Sequence, residues 1–333
     1  CMTLPGSRGC ALTNESQEKP LLTVTLNAAV DKTYTVPGFS LDRVHRPADF
    51  RAVAGGKGIN VARVFQELGG RCIATGFLGG HNGEFIADGL RTEGIEDDFV
   101  RTRGESRVCI AIIDPIGKTQ TEVNENGPEV HSDEVQQLIE RFEALLPKVS
   151  AVTLSGSLPP GCPEDIYARL IYMARAHGVI CALDSSGPPL RIGWEAGPDI
   201  IKCNRFELAA LHPDIGESVE DISGAALSLL NAKTREAVIT MGAQGAVAAE
   251  CGRVWYAPSP SVPFVSAVGS GDAFLAAYMW ARARGCDAPS RLAWGIAAGA
   301  ANAAVFGAGF CRKHDIEALR SQVDPVELTA ELV

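Results

Sequence analysis

A chain of 333 residues, 46% of them hydrophobic and 21% charged, carries enough apolar material for a sizeable core, which excludes a disordered or fibrous protein. Its formal charge of −10, with no run of Lys or Arg, excludes a basic nucleic-acid-binding face and leaves any anionic substrate to be held by local groups. No apolar stretch is long enough to span a membrane, residues 1–20 lack a signal-peptide apolar core and read as a mobile tail, and ten scattered cysteines without metal-ligand spacing point to a reducing, cytoplasmic setting.

In chain order, short β-rich runs stand at LLTVTL (21–26), CIATGFLG (72–79), AVTLSG (151–156), VICALD (179–184), DIIKCN (199–204) and AVITMG (237–242). Helical spacing occupies 58–68, 163–176 and 218–230 between them. This alternation predicts a mostly parallel sheet with helices on both faces, and such sheets bind ligands at the carboxyl ends of their strands. Two stretches, 31–53 and 106–124, read instead as strands joined by turns. They predict a small antiparallel lid, inserted twice into a domain that otherwise runs over 21–333. After Val254 the Pro-rich APSPSVPF leads into a region that reads as mostly helix to the end.

Several motifs fall on the predicted ligand-bearing edge, each with two readings. AGGKGINVARVFQELGG (54–70) sets Gly56, Lys57 and Asn60 at a helix entry with Ile59, Val61, Val64, Phe65 and Leu68 on one apolar face. It matches neither the Walker A loop nor the dinucleotide fingerprint; it suits a phosphate or hydroxyl-rich ligand, or a flexible entry with a solvated lysine. LSGSLPPG (154–161) places Ser155 and Ser157 at a strand end, as ligand contacts or as a proline turn. In KCNRFE (202–207), Asn204 and Glu207 have capping-box spacing, and a carboxylate one turn from an amide also suits hydrated Mg²⁺. TMGAQGAV (240–247) offers Gly242 and Gly245 to a flat ligand or to a hairpin turn. VGSGDAFLAAYMWA (268–281) puts two glycines and an aspartate before a helix, as a cap or as an anion site of outward N–H groups beside a carboxylate.

Together, and in this order, these motifs resemble the ribokinase-like carbohydrate kinases of PfkB type over almost the whole chain. GGKGINVAR (55–63) and VSAVGSGDAF (265–274) resemble the two family signatures, with SGSLPPG, DSSG (184–187), Asn204-x-x-Glu207 and TMGAQG between them. TLNAAVD (25–31), TEVNENGP (121–128) and Gly-Lys-Gly at 56–58 are similar to the 1-phosphofructokinase and tagatose-6-phosphate kinase branch. The chain departs from that pattern at Ala28, Asn126 and Cys203, where the branch has proline, and at Ser270, where it has alanine.

The resemblance implies a three-layer α/β/α sandwich with a β lid, ATP and Mg²⁺ as cofactors, and a homodimer formed through the lid. It implies Asp272 as general base, with the Gly269, Ser270 and Gly271 amides as an anion hole for the transferring phosphoryl group. Asp31, Gly56, Lys57 and Asn60 would line the sugar site, with Lys57, Arg107 and Ser157 facing the sugar's existing phosphate. Lys202, Asn204 and Glu207 would face the ATP phosphates and Mg²⁺, Glu207 through water; Thr240, Gly242, Gly245 and Asn302 would border the nucleotide. The implied reaction is phosphorylation of D-fructose 1-phosphate at O6, with tagatose 6-phosphate or fructose 6-phosphate as alternative acceptors. A kinase of free sugars or nucleosides is disfavoured by the paired cations Lys57 and Arg107. A catalytically silent sugar-phosphate sensor is disfavoured by the intact Asp272, Glu207 and glycine pair.

Overall fold

A computed structural model describes residues 19–328; nearly all of the expected tail, as well as Cys1 and Cys10, lies outside them. The chain begins with β1 (Leu21–Thr25), β2 (Ala29–Thr35), β3 (Asp49–Gly55), α1 (Lys57–Glu67), β4 (Cys72–Gly79) and α2 (Gly80–Thr92). Short strands β5 (Glu96–Asp97) and β6 (Val100–Thr102) precede β7 (Arg107–Asp114), β8 (Thr119–Asn124) and α3 (Ser132–Leu145). Alternating units follow: β9 (Ala151–Ser155), α4 (Ile166–Ala176), β10 (Ile180–Asp184), α5 (Gly187–Ala196), β11 (Ile200–Asn204), the single turn α6 (Arg205–Leu208), α7 (Val219–Ser228) and β12 (Glu236–Thr240). The last part holds β13 (Ala246–Glu250), β14 (Arg253–Ala257), α8 (Ser270–Ala283), α9 (Ala288–Ala303), α10 (Lys313–Arg320) and β15 (Val326–Leu328).

The large sheet has the order β15-β14-β13-β12-β11-β10-β9-β1-β4-β5, with β6 also on β4. Neighbours from β12 to β5 run parallel, and β13, β14 and β15 add an antiparallel edge. Because side chains alternate across a strand, one set of residues serves each face. Leu22, Val24, Leu183, Ile201 and Ile239 pack with α3, α4, α5 and α7, while Leu21, Ala182, Ile200 and Val238 meet the layer of α1, α8 and α9. Helix α8 is apolar on every side because it lies beneath α9 and beside α1, so its run from Ala273 to Ala281 is buried throughout.

A second sheet, β3-β2-β7-β8, forms the lid from the two predicted stretches. Each hairpin is antiparallel, as expected, but the hairpins join through a parallel pair, β2 with β7. Both strands climb out of the large sheet in the same sense, so their junction cannot be antiparallel. The end of the chain also departs from expectation. Beyond Val254 it is not only helical: β14 continues to Ala257, and β15 returns after α10 to pair with it.

Candidate active site

The carboxyl ends of β11 and β12, the first turns of α1 and α8 and the inner face of the lid enclose a cleft of about 780 Å³. At its floor the GSGD stretch becomes the start of α8. Gly269 takes the N-cap position with φ 79°, ψ −2°, a left-handed conformation that L side chains avoid, and a Cβ there would lie 2.6 Å from that of Ala308. The Ser270 amide donates to Ala267 O at 3.1 Å, so it is not free for an anion. Among the described residues the amides of Gly269, Gly271 and Asp272 have no acceptor. Ser270 contributes its hydroxyl instead, which accepts from Asn302 Nδ2 at 3.2 Å.

Asp272 is 5% exposed and accepts a hydrogen bond from Asn60 Nδ2 at 2.9 Å. Burial raises its pKa, and neighbouring Asp184 adds to the rise, while Lys57, Lys202 and the Asn60 bond oppose it. Asn60 is itself fixed by Arg63, whose Nη1 donates to Asn60 Oδ1 at 3.0 Å and to Ala308 O at 2.9 Å. Arg63 also donates to Ala54 O at the end of lid strand β3 and to Glu93, so one buried guanidinium ties the carboxylate's partner to the lid hinge.

Asp31, on the first lid strand, faces this floor. Its carboxylate occupies the space that a side chain on Gly55 would fill, with Oδ2 2.1 Å from an ideal Cβ. Burial lifts its pKa to about 6 against the pull of Arg63 and Arg107. Gly56, at φ 113°, ψ 145°, turns the chain from β3 into α1 and so aims Lys57 into the cleft. That lysine is not the free cation expected: its Nζ donates to Asp184 Oδ1 at 2.9 Å and to Glu207 Oε1 at 3.1 Å. Burial works against its charge, but Asp184, Glu207 and Asp272 outweigh it and hold its pKa above the usual lysine value.

Asp184, fully buried at the end of β10, also accepts from Lys202 Nζ at 2.9 Å. Burial disfavours the carboxylate, yet Lys202 and Lys57 together hold its pKa below the ordinary range. Asn204 and Glu207 form the reciprocal capping box, with both of its bonds at 2.8 Å. Both carboxylate oxygens of Glu207 are thereby engaged, and no group of three or more His, Cys, Asp or Glu among the described residues could hold a metal ion directly.

Next to the floor a second, largely apolar pocket of about 440 Å³ shares Thr240, Gly242, Ser270 and Gly271 with the cleft, and Gly245 lines it. The hairpin reading of TMGAQG holds, since these residues make the turn between β12 and β13, and Thr240, Gly242 and Gly245 also face the pocket. Two expected residues do not line either space. Asn302 is fully buried behind the floor, where Nδ2 donates to Val268 O and Oδ1 accepts from Gly309 N, bracing the loop from behind. Ser157 is exposed and lies 3.3 Å from Asn27 Nδ2. Arg107 does line the cleft, with Nε on Asn27 O at 3.1 Å and Nη1 on Glu125 O at 2.9 Å. Asp184, Arg63 and Asn27 were singled out by no spacing rule, although they sit inside DSSG, GGKGINVAR and TLNAAVD.

Residues 24–315 match the profile of the pfkB family carbohydrate kinases. The chain belongs to this family. It is therefore a phosphotransferase that acts on a sugar hydroxyl, and as a carbohydrate kinase it uses ATP. Solved structures agree. Phosphofructokinase-2 from Escherichia coli, in complex with substrates and products, superposes with a TM-score of 0.84 at 27% identity, covering 91% of this chain and 99% of that one. A possible 1-phosphofructokinase from Thermotoga maritima gives 0.85 at 28% identity, covering 93% and 99%. Arabidopsis thaliana ribokinase, complexed with ribose and ATP, shares the fold with a TM-score of 0.73 at 21% identity, covering 91% and 99%.

Proposed function

We propose that this pfkB-family kinase phosphorylates a ketohexose monophosphate, D-fructose 1-phosphate at O6, to give fructose 1,6-bisphosphate. The observation that carries this reading is one cleft holding a buried, Asn60-bound carboxylate at the floor and both a carboxylate and a guanidinium, Asp31 and Arg107, on the facing lid. Asp31 accepts hydrogen bonds from sugar hydroxyls, and Arg107 meets the phosphate already present. Asp272 takes the proton of the attacking hydroxyl as its oxygen bonds to the γ-phosphorus of ATP; the bond from that phosphorus to the bridging oxygen breaks, and ADP leaves. The free first-turn amides of α8 stabilise the charge on the phosphoryl oxygens, and the apolar pocket beside Thr240 and Gly245 receives the base.

The residues fit a Mg²⁺ that would keep its waters and arrive with the nucleotide: both carboxylate oxygens of Glu207 are engaged, so Glu207 would hold such an ion through water. Bound there, the ion supplies charge neutralisation on the nucleotide phosphates. Lys57, Asp184 and Lys202 form an ion network that fixes both lysines at the cleft floor, and Lys202 and Asn204 stand beside the phosphate path. A second reading, phosphorylation of fructose 6-phosphate at O1, is favoured by the Escherichia coli phosphofructokinase-2 solved in complex with fructose-6-phosphate, 26% identical.

The test is ADP release over a panel of free and phosphorylated sugars. Fructose 1-phosphate is expected to give the highest kcat/KM; a higher value for fructose 6-phosphate selects the second reading, and a free hexose or nucleoside as best substrate overturns both. We further place the enzyme in the cytoplasm, in keeping with the free thiols of Cys72, Cys109, Cys162, Cys181, Cys203, Cys251 and Cys311. We also propose a homodimer through the lid, supported by Leu41, Val44, Phe50, Ile116 and Val123, all at least 50% exposed on that small element. Leu41→Asp with Val44→Asp should convert a dimer to a monomer in sedimentation analysis; an unchanged dimer would place the contact elsewhere.

A further inference from the structure

At the end of the large sheet opposite the cleft lies a cavity of about 370 Å³. The first residues of three adjacent strands, Leu21, Ala151 and Ile180, give it an apolar floor together with Phe65 and Met279. Its rim carries Lys19, Arg71, Arg282 and Arg284, and no Asp or Glu is among the described residues that line it. Four cations around one cavity run against the charge of the molecule as a whole, which is −10.

Two of the four rim cations are engaged by other groups of the protein. Arg282 gives Nε to Glu236 Oε1 at 2.9 Å, behind the cavity, and the Arg284 guanidinium lies 3.9 Å from the Trp280 ring centroid. Lys19 Nζ donates to Pro147 O at 2.9 Å and has no ion-pair partner among the described residues. Among the described residues the Arg71 guanidinium has neither an ion-pair nor a hydrogen-bond partner. The volume falls in the range of small-molecule sites, which are mostly apolar with a few placed polar groups.

We propose that this cavity binds a small amphipathic anion, a phosphate or carboxylate carried on a compact apolar body. The floor removes the body from water, and the rim, Arg71 above all, pairs with the anionic group through charge-assisted hydrogen bonds. A bare anion lacks the part that the floor would bury, and a neutral aromatic lacks the part that the rim would pair. The site is independent of the kinase reading. It touches the same machinery through one element, since α8 begins at Ser270 beside the cleft and its last turn, with Arg282 and Ala283, lines this cavity.

Isothermal titration of the full-length protein with phenyl phosphate, phenol and inorganic phosphate tests the proposal. Phenyl phosphate should bind saturably, with each of the other two about tenfold weaker or more. Arg71→Glu and Lys19→Glu, both at exposed positions, should weaken phenyl phosphate by about tenfold or more while leaving basal kinase turnover unchanged. Arg107→Ala, in the cleft, should leave this binding intact. Absence of saturable binding up to about 10 mM overturns the proposal, as does inorganic phosphate binding as tightly as phenyl phosphate. So does a loss caused by Arg107→Ala and not by Arg71→Glu, which would assign the ligand to the cleft.

Discussion

The two walls of the cleft are built on different principles. The floor is formed by strand ends and the start of α8, where Asp184, Lys202, Asp272 and Asn60 are at most 5% exposed and each charge has a bonded partner. The lid is a sheet of strands that are mostly half-buried or exposed, with Phe50 and Val123 exposed on its strands and Leu41, Val44 and Ile116 exposed on its connections. Among the side chains that fasten it, Gln120 on β8 pairs with Ser266, Arg51 on β3 donates to Phe306 O, Asn27 holds Asn126 O, Arg107 on β7 donates to Asn27 O and Arg63 donates to Ala54 O. Preorganised charge belongs on the wall that does not move, because dipoles fixed in advance cost nothing at the moment of reaction. In the proposed function, sugar recognition and exclusion of water fall to the lid.

Mutations separate the two walls. The largest effect is expected from Asp184→Ala, which leaves Lys202 buried and unpaired and should cost about 3–5 kcal/mol in denaturant unfolding. A loss below about 1 kcal/mol would mean that the floor is not held by this ion network. On the lid, Arg107→Ala should raise KM for the phosphosugar about tenfold or more with kcat nearly unchanged and no effect on free sugars. Equal weakening of both would show that the lid does not read the phosphate.

The smallest effect concerns Asp31 and pH. Its folded pKa, about 6 against an ordinary 3.8, means that the folded state holds the proton more tightly than the unfolded one. Asp31 therefore contributes stability that is complete below the ordinary value and lost as pH rises through about 6. Asp31→Asn should raise the thermal midpoint at neutral pH by roughly 1–3 °C and leave it unchanged near pH 4. In the wild type, kcat/KM for the sugar should fall as pH drops below about 6, because the protonated carboxyl accepts hydroxyl hydrogens poorly. A thermal midpoint lowered at neutral pH would place Asp31 among the structural groups of the floor.

What was legible in the sequence follows the same division. Strands such as CIATGFLG and the apolar face of α1 could be read because period and residue type are local properties, and the strand ends then located the ligand-bearing edge. The GSGD, GGKG and Asn-x-x-Glu stretches were legible as short-range backbone devices. Their cross-connections were not: Lys57 meets Asp184 and Glu207 across 127 and 150 residues, and Asn60 meets Asp272 across 212. No local pattern reveals that a lysine in a glycine loop is already paired, or that Asn302 supports the anion loop from behind. Ser270 is the reverse case: an unusual residue in the motif acquires a role only when α9 brings Asn302 to its hydroxyl. The parallel junction within the lid and the return of β15 depend likewise on where distant strands meet.

The most direct test of the account is single-turnover phosphoryl transfer, by rapid quench, in wild type and Asp272→Asn with ATP and fructose 1-phosphate both saturating. Loss of the buried base should slow transfer by about 10²–10⁴-fold while KM for both substrates stays near that of the wild type. Transfer by Asp272→Asn within a few-fold of the wild-type rate would contradict the assignment of Asp272 and, with it, of the floor as the wall that performs the chemistry.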